Sequence, residues 1–371
     1  MNSKVVWIRD VDVVSPVIPE TVSFEEVLFN AKENWVSKVK IDLNKHLKQY
    51  FKVCRRMNQT AKMGFLSATN VLNKSGILNE EFDKNRFGTA ISSTNASYDS
   101  VLRILRTLYS KGLEEISPID FTYSVANSVL SGITMNYKLL GPSNVLPSSE
   151  ALQVAQSIIE QNDADYMLVS SVNICTPENL EFYQQFDYLR GNCSVQKDEK
   201  MTIREQAVSI ILEKEDSKRH SVSCYLENII QMRKTKRISE HSRLSDSAYD
   251  IDTMYELAEF KNEDFERVML KALNGTTCDV VLLCSSGLKN MKDAELSAIS
   301  DIVPDAITFA PGEIFGNNFG SSFMLNVAVA VSVLRNQAVP QEGLSNNKIK
   351  KILVNGYNDL GNIISGVVTC V

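Results

Sequence analysis

Residues 127–171 read NSVLSGITMNYKLLGPSNVLPSSEALQVAQSIIEQNDADYMLVSS, and the order of elements in this stretch sets the expectations for the whole chain. It reads as helix, turn, strand, sharp turn, helix, turn, strand. The Gly141-Pro142 step breaks the first helix, and a short extended run over residues 144–146 leads into Pro147-Ser148-Ser149. Ala151, Leu152, Ala155, Ile158 and Ile159 recur at helical spacing, so residues 151–160 are expected to be a helix with one buried face. Asp163-Ala164-Asp165 ends it, and residues 166–169 form an apolar strand. Strand, tight elbow and buried helix is the arrangement by which several enzyme folds hold a nucleophile at the mouth of a helix. Here the elbow is Pro147-Ser148-Ser149-Glu150, with no cysteine.

Working outward, 371 residues suffice for two core-bearing units or one large α/β domain. The net charge of -6 argues against a nucleic-acid surface. No run approaches the roughly 18 apolar residues needed to span a membrane. The VVWI run near the N-terminus, flanked by Lys4, Arg9 and Asp10, is too short for a signal peptide, so a cytoplasmic location is expected. Seven cysteines, at 54, 175, 193, 224, 278, 284 and 370, are scattered and form no CxxC. That pattern suggests reduced thiols, with neither a disulfide framework nor a zinc site. No glycine-rich phosphate loop follows the first strand, and no cofactor is expected. Only three histidines occur, His46, His220 and His241.

Along the chain, residues 5–14 and 86–92 read as strands, and 60–72 and 98–109 as helices. Ser23 with Glu26 three residues on has capping-box spacing. Residues 205–214, 221–230 and 279–284 read as strands, and 252–273 and 292–302 as helices. A glycine-asparagine turn at Gly316 opens a largely apolar helix to Leu334, which must be mostly buried. Residues 352–355 and 363–368 read as a final pair of strands. The two parts echo each other, each with a glycine turn opening a buried helix. An α/β fold of two related halves follows, residues 1–200 and 201–371, integrated into one unit with strands between helix layers.

The order and spacing of several fragments resemble the β-ketoacyl synthases, the condensing enzymes of fatty-acid and polyketide synthesis, over nearly the whole chain. The fragments are Arg55-Arg56-Met57, Arg86-Phe87-Gly88-Thr89-Ala90-Ile91, and Asn127 with Ile133-Thr134-Met135-Asn136-Tyr137 and Gly141-Pro142. Asp163-Ala164-Asp165, the series Asp293, Glu295, Ala298 and Ile299, and residues 352–362 complete them. The resemblance implies a thiolase-like five-layer α-β-α-β-α sandwich and dimerisation.

The chain departs from the family where its chemistry is carried. Condensation needs a cysteine thiolate at the elbow and two histidines that stabilise developing charge. By alignment the elbow falls near Ser148 or Ser149. The first histidine position falls at Ser285 counted back from Asp293, or at Cys284 counted back from Glu295; the second falls at Asn317. All three histidines precede these positions, so no small shift of register supplies one. Each candidate has a plainer reading. Ser148 or Ser149 can cap the helix that follows, Cys284 can be a small core residue, Asn317 can turn the chain, and the aromatics Phe182, Tyr183, Phe186 and Tyr188 can be core.

A ketosynthase scaffold with all three catalytic residues replaced resembles a chain-length factor, the inactive partner of an active ketosynthase in type II polyketide systems. By that resemblance no catalytic residue is expected, and the partners are an active ketosynthase subunit and an acyl carrier protein. Wall residues of the acyl tunnel would be Phe121, Val125, Ser128 and Val129, spaced to share a helical face. Arg233, Lys234, Lys236 and Arg237 can meet an acidic carrier protein, or form a solvated loop. The competing function is an enzyme of altered chemistry on the same scaffold, a malonyl decarboxylase using Asn317 or an acyltransferase using Ser148.

Overall fold

The computed structural model describes residues 5–31, 41–146, 150–179, 181, 203–233, 261–285, 289–317, 320, 322–340, 343–344, 348–357 and 362–371. The strands are β1 (Val6–Val14), β2 (Phe87–Ser92), β3 (Ser143–Leu146), β4 (Tyr166–Asn173), β5 (Gln206–Glu213) and β6 (Cys224–Arg233). They continue with β7 (Val280–Leu282), β8 (Ile307–Phe309), β9 (Ala338–Val339), β10 (Gly343–Leu344), β11 (Lys351–Tyr357) and β12 (Asn362–Cys370). The principal helices are α1 (Phe24–Asn30), α2 (Gln59–Lys74), α3 (Tyr98–Lys111), α4 (Pro118–Thr122) and α5 (Ser128–Tyr137). After them come α6 (Ala151–Glu160), α7 (Asn262–Leu273), α8 (Lys289–Ile302), α9 (Gly312–Phe315) and α10 (Ser322–Asn336).

Ten strands pair in the order β3-β2-β4-β5-β1-β6-β12-β11-β7-β8, and β9 pairs with β10 alone. The order is one pattern written twice. In the first five, β5 runs antiparallel to β1 and β4, and β2 runs parallel to β4 and β3. In the second five, β12 runs antiparallel to β6 and β11, and β7 runs parallel to β11 and β8. The sets meet where Val6, Trp7 and Ile8 of β1 pair with Leu226, Tyr225 and Cys224 of β6. The Trp7 and Tyr225 rings make an edge contact there, 5.2 Å between centroids. The chain passes from the first set to the second through residues 214–223.

Alternation along the strands builds three cores and hence five layers. In β5, Val208, Ile210 and Leu212 face one core, while Ala207 and Ile211 face another with Phe65 and Leu72 of α2. In β11, Ile352 and Val354 join the first of these cores, and Leu353 joins a third with Phe265 and Val268 of α7. The shared core is filled by α6 and α10, and α10 packs on β11 and β12 of one set and β1 and β5 of the other. Residues 322–334 of α10 are buried without a break. A helix apolar on all sides can only be an inner layer, since each exposed Val or Leu would forgo roughly 1.5–3 kcal/mol of burial. The fold is therefore a thiolase-like α-β-α-β-α sandwich.

Fragments far apart in sequence hold one another. The Arg86 guanidinium clasps both oxygens of Asp165, at 2.7 and 2.9 Å, tying the start of β2 to the start of β4. A Cβ on Gly141 would lie 2.6 Å from the Phe87 carbonyl carbon, so only glycine lets the chain after α5 lie against β2. Glu295 of α8 binds Asn355 of β11, joining two further fragments of the sequence pattern.

Several expected elements take a different form. Phe121, Val125, Ser128 and Val129 do not share one helix: α4 ends at Thr122 and α5 begins at Ser128. The Thr122 and Ser124 hydroxyls donate back to the Pro118 and Phe121 carbonyls, a competition with helix hydrogen bonding that ends α4. The N-cap of α6 is Glu150, with no side-chain cap bond, in place of Ser148 or Ser149. β8 is a three-residue edge strand with no counterpart in the sequence reading. The Ser23 cap is as expected, its hydroxyl accepting from the Glu26 amide at 3.0 Å.

Candidate functional site

The candidate positions lie where strands of both sets end. β7 leads into Cys284 and Ser285, and β11 ends at Tyr357. α9 leads to Gly316 and Asn317, and Gly320 stands just ahead of α10. β2 and β4 reach the same region. Gly320 approaches so closely that an added Cβ would lie 2.4 Å from both Thr94 Oγ1 and Asn173 Nδ2, and its carbonyl accepts from Ser171 Oγ at 3.1 Å. The two halves thus meet at the strand ends. The elbow residues Pro147, Ser148 and Ser149 fall outside the described residues; β3 precedes them and α6 follows.

At the first position, Ser285 is fully buried and its hydroxyl donates to Glu295 Oε2. Glu295, also fully buried, accepts from the Cys284 and Ser285 amides, each at 3.1 Å, and from Asn355 Nδ2 at 2.9 Å. Asn355 in turn accepts from Ser365 Oγ at 2.7 Å. Asn326 of α10 donates to the Leu283 and Asn355 carbonyls at 3.0 and 2.9 Å. Burial pushes the Glu295 carboxyl above its ordinary range, and these donors pull it part of the way back. This is a closed network in which the strand end is clamped by a carboxylate.

Cys284 beside it is buried in the third core. Burial holds its thiol well above the ordinary range, and the adjacent Glu295 charge adds to the shift. A thiol so placed is protonated at neutral pH and is a poor nucleophile.

At the second position, Asn317 is buried, and its Nδ2 donates to the Tyr357 hydroxyl at 2.9 Å. Its carbonyl accepts from the Arg204 amide at 3.2 Å, and its backbone bridges Ile203. Gly316 takes φ +79, with Arg204 packed where a Cβ would stand. Tyr357 is held through its own backbone, whose carbonyl accepts from Ser322 Oγ at 3.1 Å. The Asn317 amide is spent on holding Tyr357.

Among the described residues, no histidine is partnered with these positions. His46 sits by Glu20, and His220 Nε2 lies 3.1 Å from the Arg9 carbonyl and beside Asp10. His241 lies outside the described residues. Among the described residues, no group of three His, Cys, Asp or Glu could hold a metal ion.

The other candidates divide. Phe121 is 70% and Val125 51% exposed, whereas Ser128 and Val129 are buried. Val129 packs on α2, its Cγ1 2.4 Å from where a Gly64 Cβ would be. It is therefore a core residue before it can be a wall. Leu105, Leu108, Tyr109 and Met135 are exposed with Phe121 and Val125, leaving α3 with its apolar residues uncovered. β3 pairs only with β2 among the described residues. Arg233 closes β6, its side chain outside the described set; Lys234, Lys236, Arg237 and Phe182 to Tyr188 lie outside it entirely.

The sequence reading missed Asn355 and Tyr357 as partners of the two positions. Both stand inside the residues 352–362 that carried the family pattern, and Glu295, in another fragment of that pattern, was the signal that a donor would face it if it were buried.

Comparison with known proteins agrees with this architecture. The model for the N-terminal domain of β-ketoacyl synthases matches residues 26–202. A structure of a type II polyketide synthase acyl-carrier protein with its ketosynthase bound to the hexaketide aligns over 99% of this chain and 100% of its own, at TM-score 0.70 and 14% identity. The ishigamide ketosynthase/chain length factor aligns over 99% of both chains, at TM-score 0.69 and 13% identity. A β-ketoacyl synthase from Burkholderia phymatum aligns over 99% of this chain and 100% of its own, at TM-score 0.73 and 13% identity. No curated protein sequence matches the chain significantly. The fold is that of the ketosynthases. The sequence likeness to that family is carried by residues 26–202, just under half of the chain.

Proposed function

We propose that this chain is a chain-length-factor-like subunit. It pairs with an active ketosynthase and shapes the acyl tunnel while a polyketide or polyene chain is extended on an acyl carrier protein. One observation carries the reading: each position where the family's chemistry needs a thiolate or an imidazole holds a side chain that cannot supply it. The elbow sequence has serines, the Ser285 hydroxyl is bound to buried Glu295, and the Asn317 amide is bound to Tyr357. Cys284 is a buried, protonated thiol.

The uncovered apolar surface of α3 and the turn at Phe121 and Val125, together with the β3 edge that has no strand beyond it among the described residues, supports a partner subunit. Phe121 and Val125 are the tunnel or interface residues in this reading, and residues 233–237 would meet the acidic carrier. The two halves, expected at residues 1–200 and 201–371, are taken in this reading to divide after β5, which pairs with β1 and β4 of the first set. A decarboxylase role for Asn317 is less well supported, because its amide is already engaged.

The test is reconstitution of the carrier protein and a cysteine-bearing ketosynthase with and without this chain. Products of one defined length are expected only when it is present. Turnover of malonyl- or acyl-carrier protein by the chain alone, abolished by Ser148→Ala or Asn317→Ala, would replace this reading with that of an enzyme.

A further inference from the structure

β6 and β12 are antiparallel neighbours, and Cys224 stands directly opposite Cys370. Two hydrogen bonds fix the kind of pair they form. The Cys370 amide points away from β6 and donates to the Lys350 carbonyl at 2.9 Å. The next pair along is hydrogen-bonded, the Val371 amide donating to the Ser223 carbonyl at 3.0 Å. Hydrogen-bonded and non-hydrogen-bonded pairs alternate in such a ladder, so Cys224 and Cys370 are a non-hydrogen-bonded pair. The Cα atoms of such pairs lie about 4.5 Å apart with side chains on one face, inside the roughly 4.4–6.8 Å range that disulfides span. Both thiols are free and face the shared middle core.

Cys370 is the less deeply buried of the two thiols, 6% exposed against 1%, and is the first to meet a small oxidant. The charges of Lys348 and Lys350 favour its ionised form, as that of Arg335, near the end of α10, does for Cys224. The Arg335 Nη1 and Nη2 groups serve the Asp10 carboxylate and the Ile8 and Arg9 carbonyls. Cys370 Sγ lies 3.5 Å from the Ile349 carbonyl, a weak bond that is readily given up. Cys224 also pairs with Ile8 of β1, which places the couple where the two sets of five strands are hydrogen-bonded to each other.

We propose that Cys224 and Cys370 are a cross-strand dithiol that a small hydroperoxide closes to a disulfide, locking β12 to β6 at the joint of the two halves. The Cys370 thiolate attacks one peroxide oxygen; an S–O bond forms, the O–O bond breaks, and water or an alcohol leaves. The Cys224 sulfur then attacks the resulting sulfenic acid, forming the S–S bond and releasing water. The two thiols together give up two hydrogens and two electrons, and the hydroperoxide is reduced. Burial dominates at Cys224, pushing its thiol up to about 12, and raises the Cys370 thiol too, so closure is slow.

The test is to treat the folded full-length chain with hydrogen peroxide, alkylate the remaining thiols, and map it by non-reducing peptide mass spectrometry. A single cross-linked peptide pair joining Cys224 to Cys370, lighter by two hydrogens and reopened by dithiothreitol, is expected. In Cys224→Ser, Cys370 should instead be captured by a sulfenic-acid probe. A chain whose pair stays reduced, or a cross-link from either cysteine to any other, overturns the proposal, as does a Cys224→Ser chain that takes no probe at Cys370.

Discussion

Replacing Glu295 by alanine tests whether the first candidate position is a structural clamp. The carboxylate receives the Cys284 amide, the Ser285 amide, the Ser285 hydroxyl and Asn355 Nδ2, all buried. Alanine leaves these donors without an acceptor, at about 1–3 kcal/mol for each buried donor left unsatisfied. The donors relax together and the cost of burying the charge is recovered, so the net loss is expected to be about 3–5 kcal/mol. Glu295→Gln keeps one acceptor oxygen but turns an amide donor toward groups that themselves donate, and should fall between the two. Guanidinium unfolding of the full chain, followed by tryptophan fluorescence and circular dichroism, measures the loss. A loss below about 1 kcal/mol would match a solvated carboxylate and would refute the clamp.

Three further outcomes follow from the same geometry. Burial pushes the Asp12 carboxyl up to about 7, so the folded state holds its proton more tightly than the unfolded chain. Stability from this group is present below the ordinary carboxylate range and is lost as pH rises toward 7. Asp12→Asn should remove that slope, with a relative gain of about 1–2 kcal/mol at pH 8 and almost none near pH 4, since the side chain is only partly buried. Thermal midpoints that stay parallel across this range would rule it out. Gly64→Ala drives a Cβ to within 2.4 Å of Val129 Cγ1 and should cost about 1–3 kcal/mol, whereas an unchanged midpoint would free Val129 for the tunnel wall. Val125→Trp fills exposed space without disturbing a core and should shorten the product of the reconstituted complex; unchanged length would remove Val125 from the wall.

Much of the fold was readable because its periodicities are long. The apolar spacing over residues 151–160 coincides with α6, and the apolar run after Gly316 could only be an inner helix. The pairing of β1 with β6 and the three-residue β8 were not readable, because contacts of such length leave no periodic trace. The break between α4 and α5 escaped for a local reason, hydroxyls of Thr122 and Ser124 competing for carbonyls. At the candidate site, that none of the three histidines falls near Ser285 or Asn317 in the chain was plain from the sequence. What holds those two residues was not, because Glu295 with Asn355 and Asn317 with Tyr357 are partners 60 and 40 residues apart.

The central claim is that this chain completes another subunit. Native mass spectrometry of the chain purified with a co-expressed ketosynthase, one bearing the elbow cysteine and both histidines, tests it most directly. A stable complex of one copy of each is predicted, with Phe121→Asp dissociating it through the exposed surface around α4. A stable homodimer of this chain that leaves the ketosynthase unbound would contradict the account.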